Sequence, residues 1–319
     1  MIAARQLLCL LAAVVPAATA AAALAPAGSS PRCFGAAARD PEHPCDNPSL
    51  RRAVNPSPGI AQITPFEPCS VVKRRPMVCA FGVPAAEARE TVALIGDSHA
   101  EHWRSALRVM AQSKRWHVAS LGRSNCPLSR TIPVLSEVQQ SGRRHQRYMC
   151  WRWNRRVPAW LRANPRIRTA FVSEHTRAAE VFARRGADEF EARVRGHLRA
   201  WRALPRSVRR LVVIRDVPYV TTTTIACVRR AIARHQIAND RCSVPRAEGL
   251  EPDPAEVAAK RTRSRRVRLI DMTDFMCGPR RCFAVVGGVL VHMDHGHLTR
   301  LFSTTLGPYL ERAYDRVAG

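Results

Sequence analysis

The sequence predicts an α/β fold, a three-layer doubly wound parallel sheet with disulfide-pinned loops. Three observations carry this. From residue 91 onward, short β-branched runs alternate with segments of helical periodicity, the pattern of a parallel sheet covered on both faces. A length of 319 residues with 46% hydrophobic composition is enough to bury a real core and excludes a disordered chain. The cysteines bracket the two stretches in which the alternation fails.

The chain opens MIAARQLLCLLAAVVPAATA, with one arginine before an apolar core from Leu7 to about Val15 and a small-residue site at Ala18-Thr19-Ala20. Residues 1–26 read as a secretory signal peptide, or as a membrane anchor if they are left uncleaved. No other segment is long and apolar enough to cross a bilayer. Residues 27–88 are rich in Pro, Ala and Arg and hold four cysteines. They read as an extended, disulfide-pinned leader without a core of its own, packed on a domain at 89–319.

TVALIG (91–96) is the first expected strand. Ala100, Trp103, Leu107 and Met110 then recur on one helical face. WHVASLG (116–122) is the second strand, and Trp151 to Leu161 reads as a helix ending before Pro165. RTAFVS (168–173) is the third strand, 187–203 a helix, and RLVVIRDVP (210–218) a fourth strand stopped by Pro218. VRLIDM (267–272) is the fifth strand, and Thr299 to Val317 the closing helix. Residues 123–150 and 219–255 lack clear periodicity. Loops of that length in a compact domain are commonly functional, and these two are expected to be ordered and to shape a pocket.

Removing Cys9 with the signal leaves ten cysteines: Cys33, Cys45, Cys69, Cys79, Cys126, Cys150, Cys227, Cys242, Cys277 and Cys282. An even number in an exported chain reads as a disulfide framework. Sequence alone does not fix the connectivity. The sequential pairing 33–45, 69–79, 126–150, 227–242 and 277–282 is the expectation, each bridge contributing roughly 2–4 kcal/mol. No metal site is expected, because there is no C-x-x-C pair and the Cys277–Cys282 gap is too wide for a zinc knuckle.

The formal net charge is +26, and only three of the 51 basic residues are lysine. Arginine favours flat, bidentate contacts with carboxylates and phosphates. The arginines are spread along the chain with no helical stripe and no aromatic-interleaved nucleic-acid motif, so no nucleic-acid partner is expected.

Ligands of an open parallel sheet bind at the carboxyl ends of its strands. Ser98 lies two residues past the first strand and at the start of a helix, where free N–H groups favour developing negative charge. It reads either as a nucleophile or as a helix cap. Near the other end of the chain, Asp294 precedes His297 by three residues, just before the last helix. A catalytic histidine needs a carboxylate on one ring nitrogen and the nucleophile on the other, and this spacing can supply the carboxylate locally. The rival reading is a surface turn with Thr299 as cap. His295 is the rival base, and Asp271 and Asp274 are rival acids.

Gly96-Asp97-Ser98-His99 together with Asp294-x-x-His297-Leu298-Thr299 resembles the SGNH/GDSL hydrolase superfamily. The closer resemblance is to the SGNH domain found fused to membrane acyltransferases (acyltransferase family 3) that O-acylate surface glycans. Ser124-Asn125-Cys126-Pro127, Val217-Pro218 followed by Cys227, and Cys277 with Cys282 before the Asp-His turn fit that subgroup. The resemblance spans about 91–317. It implies a flavodoxin-like sheet of the SGNH-hydrolase type, with Ser98 as nucleophile, His297 as general base and acid, and Asp294 as orienter. The oxyanion hole would include the Ser98 N–H, with Gly122 or Asn125 after the second strand. The expected Gly-x-Asn-Asp after the third strand is absent; Val172-Ser173-Glu174-His175 stands there, with Ser173 as a substitute donor. Asp97 is expected to bond backbone around the turn, and His99 to be packed or capping.

The function implied is an exported, serine-dependent acyl-transfer enzyme without cofactor. As esterase or O-acetyltransferase it would act on O-acyl groups of cell-envelope polysaccharide. The relatives carry a many-helix membrane domain that this chain lacks, so a transferase would need a separate membrane acyl-donor protein. The alternative is a non-catalytic glycan-binding module with a vestigial triad and a basic anion-binding surface. The expected location is secreted or periplasmic, with membrane tethering if the signal is retained.

Overall fold

The computed structural model describes residues 30–74, 76–131, 133–134, 143–176, 180–181 and 188–319. The signal-peptide reading of 1–26 lies outside them. Among the described residues, seven strands form the main sheet: β1 (Ser70–Arg74), β2 (Met77–Gly82), β3 (Glu90–Gly96), β4 (Trp116–Gly122), β5 (Thr169–Ser173), β6 (Arg210–Ile214) and β7 (Val267–Ile270). Their order is β1-β2-β4-β3-β5-β6-β7. The five strands from β4 to β7 across the sheet are parallel. Counted among themselves they run 2-1-3-4-5, the flavodoxin-like order, whose ligand crevice lies where the winding reverses, here between β3 and β5.

Strand side chains alternate between faces, and both faces are buried. On one face Leu94, Phe171 and Val212 pack with Trp103, Leu107, Phe302 and Leu306. These come from α1 (Ser98–His102) and its cap Trp103, α2 (Arg104–Lys114) and α7 (Arg300–Ala318). On the other face Ala93, Ile95, Val172 and Val213 pack with Trp153, Leu161, Trp201 and Ala258. Those come from α3 (Arg143–Ala163), α4 (Glu189–Arg202) and α6 (Pro254–Arg261). The single helix expected from Ala100 to Met110 is two, broken at Trp103, yet Ala100, Trp103, Leu107 and Met110 are all buried.

The structure departs from the expected boundaries at four places. Residues 32–319 form one compact unit, and the leader segment supplies the hairpin β1–β2. That hairpin extends the sheet antiparallel to β4, beyond the predicted domain edge at 89. The stretch 219–255 holds α5 (Thr222–Ala233), started by a capping box between Thr221 and Thr224. The helix read from Trp151 begins at Arg143, and the strand read as 210–218 ends at Ile214.

The ten cysteines lie in five sequential disulfides, with Cα–Cα distances from 3.9 to 5.7 Å. Cys69–Cys79 pins the hairpin, and Cys126–Cys150 ties the loop after β4 to α3. Among the described residues no helix is long and apolar enough to cross a membrane.

Candidate active site

The buried run of β3 ends at Gly96 (φ +155°), where a Cβ would lie 1.9 Å from the Ser173 carbonyl oxygen and 2.9 Å from Ala100 Cβ. Only glycine lets β5 and α1 approach so closely. Asp97 follows, fully buried, and caps α1 by accepting from the His99 N–H at 2.8 Å. It also accepts from the His175 N–H, at 3.1 Å to Oδ2, which ties the end of β3 to the segment after β5. Burial raises its pKa against the charge of His99 and these two N–H groups. Asp97 thus bonds backbone around the turn and does not touch the serine's partner.

Ser98 begins α1, so its N–H has no intrahelical acceptor. Its Oγ lies 2.8 Å from His297 Nε2. His297 Nδ1 lies 2.7 Å from Asp294 Oδ2. Asp294 Oδ1 accepts from the backbone N–H of Gly296 at 3.0 Å and of His297 at 2.8 Å. The three-residue spacing therefore lets one carboxylate shape the turn with one oxygen and hold the ring with the other. Thr299 is the cap of α7, accepting from the Phe302 N–H, so the cap and the Asp-His turn coexist. Burial pushes the Asp294 carboxyl up. The hydrogen bonds from the His297 ring and the two N–H groups outweigh it and hold the carboxyl well below the usual range. An ionised Asp294 only accepts, so Nδ1 carries the ring proton and the Nε2 lone pair faces the Ser98 hydroxyl.

The rivals are engaged elsewhere. His295 is exposed beside the Tyr219 ring, 5.8 Å between centroids. Asp271 binds Arg215 and Thr273, and Asp274 pairs with Arg246. Gly122 ends β4 and pairs with Gly96, under the Glu101 carboxylate, which Arg104 holds at 2.9 Å. Asn125 is left-handed (φ 51°) and exposed, and its carboxamide makes no hydrogen bond among the described residues. Ser173 Oγ is buried at the end of β5 without a partner. Neither Asn125 nor Ser173 hydrogen-bonds Ser98, His297 or Asp294 through its side chain.

Sequence reading missed a second histidine–carboxylate pair. His99 Nδ1 lies 2.5 Å from Asp216 Oδ1, with both side chains buried. Asp216 also accepts from the Thr176 N–H at 2.7 Å. Burial opposes charge on His99, but Asp216 outweighs it and raises the histidine's pKa. The His99 ring stacks on His175 at 4.1 Å and lies 4.7 Å from the His297 ring. A Cβ on Gly296 would be 3.2 Å from His99 Cε1, so the pair forms the floor under the Asp294–His297 turn. The available signal was Asp216 at the carboxyl end of an expected strand.

No curated protein matches the sequence. Among solved structures, the periplasmic domain of a lipopolysaccharide acetyltransferase from Salmonella ser. Paratyphi A is similar with a TM-score of 0.50 and 14% identity, over 74% of this chain and 89% of that one. A carbohydrate esterase family 2 enzyme with a carbohydrate-binding domain, from Corynascus thermopiles (Myceliophthora fergusii), is similar with a TM-score of 0.39 and 14% identity, over 74% and 69%. Residues 67–312 match the family model described as "SGNH domain (fused to AT3 domains)". By that match, which covers most of its length, the chain belongs to the SGNH domain family.

Proposed function

We propose that this protein is an exported, serine-dependent acyl-transfer enzyme, an esterase or O-acetyltransferase acting on O-acyl groups of cell-envelope polysaccharide. The observation that carries the reading is the hydrogen-bonded series Ser98–His297–Asp294, which joins residues 199 positions apart at the ligand edge of the sheet. Ser98 Oγ attacks the ester carbonyl while His297 Nε2 takes its proton. The Ser98 N–H and the free Asn125 carboxamide or the Gly122 N–H receive the developing oxyanion. Collapse breaks the ester C–O bond, and His297 returns the proton to the leaving sugar oxygen. Water or a second sugar hydroxyl then takes the acyl group from Ser98, again through His297. The five disulfides support an oxidising compartment. The glycan substrate is taken from the lipopolysaccharide acetyltransferase neighbour, and a transferase of this kind would draw its acyl group from a membrane partner.

Ser98→Ala tests this. Turnover of p-nitrophenyl acetate and of an O-acetylated polysaccharide should fall by at least about 1,000-fold without loss of folding. Retained turnover in the folded variant would end the proposal. A glycan-binding module with a vestigial triad is the second reading, favoured by Val172-Ser173-Glu174-His175 where the wider superfamily has Gly-x-Asn-Asp. Glycan binding by a wild-type protein that turns over neither ester would support it.

A further inference from the structure

A second feature lies at the same carboxyl edge of the sheet as Ser98. β2 runs antiparallel to β4, so the end of β1 and the start of β2 sit at the carboxyl edge of the parallel strands. That places Arg74 near the residues leaving β4. Gly122 pairs with Gly96, and the Arg123 N–H donates to the Gly96 carbonyl at 3.0 Å, two residues before Ser98. The Cys126–Cys150 bridge draws α3 against the same loop, bringing Arg152 and Arg156, one turn apart on the helix, to face it. Together they enclose a cleft of about 450 Å³, lined by Arg74, Gly122, Arg123, Arg152, Trp153 and Arg156 among others. No acidic residue lines it among the described residues. None of the four arginines pairs with a carboxylate among the described residues, and the Arg152 guanidinium lies over the Tyr148 ring, 5.3 Å from its centroid. Elsewhere arginines at this protein's surface do pair, as Arg261 does with Glu191 and Arg312 with Asp40.

Four unpaired guanidinium groups in one concave site repel one another unless an anion sits among them, and planar forks suit carboxylate or phosphate oxygens. We infer that this cleft binds an anionic substituent, carboxylate or phosphate, of the glycan whose acyl group is handled at Ser98. The inference rests on the proposed function for the glycan, and it adds that the glycan is acidic. Gly122 and Arg123 tie the cleft to Gly96, two residues before Ser98, so on this inference one sugar chain presents an ester to the serine and its charged group to the arginines.

Calorimetry on the wild-type protein tests this without any need for turnover. The probes are trigalacturonic acid for the carboxylate, glucose 6-phosphate for the phosphate, and chitotriose as the neutral control. At least one charged probe should bind about 10- to 100-fold more tightly than chitotriose, and the stronger of the two identifies the substituent. The preference should shrink in high salt. In the double variant Arg123→Gln/Arg152→Gln it should fall at least tenfold, with folding checked by thermal melting. The variant Arg206→Gln/Arg209→Gln removes the same charge from exposed positions before β6, at the opposite end of the sheet, and should keep the preference. Equal affinity for all three probes overturns the inference, as does an equal loss in both double variants, which would reduce it to net charge. Absence of ester turnover by the wild type would instead strike the proposed function and leave the binding result standing.

Discussion

Asp294→Asn separates orientation of the histidine from the shape of its turn. In the wild type, Oδ1 accepts from two backbone N–H groups and Oδ2 accepts from the His297 ring. Asparagine keeps the first oxygen and replaces the second with an NH₂ donor. The two turn bonds therefore survive, while the third meets a donor facing a donor. His297 escapes by moving its ring proton to Nε2, which then points a hydrogen at Ser98 and no longer accepts one. The stability cost is one charge-assisted bond at a carboxylate side chain that is 45% exposed, about 1 kcal/mol after solvent screening. The catalytic cost is the base itself, about 10,000-fold in kcat or about 5 kcal/mol of barrier. Paired measurements of kcat on p-nitrophenyl acetate and of urea unfolding check both figures. A kcat within tenfold of wild type would refute the reasoning about the tautomer. A loss of several kcal/mol of stability would show that the turn, and not the ring, depends on the charge.

Three further outcomes follow from the fold. Gly96→Ala places a Cβ 1.9 Å from the Ser173 carbonyl and should cost at least about 3 kcal/mol, read as thermal destabilisation with loss of soluble yield. Removing the Cys126–Cys150 bridge, which closes a separation of 24 residues, should cost roughly 3 kcal/mol in urea unfolding and also weaken binding of the charged probe. His197 is buried, and burial lowers its pKa to about 4. A depressed histidine favours folding above its unfolded value near 6.5, and that contribution is lost as pH falls toward 4. Between pH 7 and pH 4.5, His197→Gln should therefore lose about 2 to 3 kcal/mol less stability than wild type, measured by urea unfolding at both values.

The parallel part of the sheet was legible because each of its strands is a short apolar run whose neighbours are set by local α/β winding. The Asp-x-x-His turn was legible for a similar reason, since a carboxylate three residues before a histidine can bond it locally. The hairpin β1–β2 was not legible. All five residues of β1 are exposed, so the strand has no hydrophobic alternation to display, and it joins the sheet only through β2, which pairs with β4 far along the chain. The helix α5 was hidden by a β-branched run of four threonines, although Thr221 and Thr224 form the capping box that starts it. His99 and Asp216 are 117 positions apart, and no spacing rule joins them. The arginine cleft was also invisible in one dimension: arginines that look scattered along the sequence converge because a hairpin, a loop and a bridged helix meet at one edge.

The central claim is that Ser98 is an activated nucleophile and not simply the first residue of a helix. Intact-mass spectrometry after exposure of the oxidised protein to a serine-directed fluorophosphonate tests it most directly. A single adduct on Ser98, absent in His297→Ala, is the predicted result. No adduct on the folded, fully disulfide-bonded protein would contradict the claim and leave Ser98 a helix residue with a histidine for a neighbour.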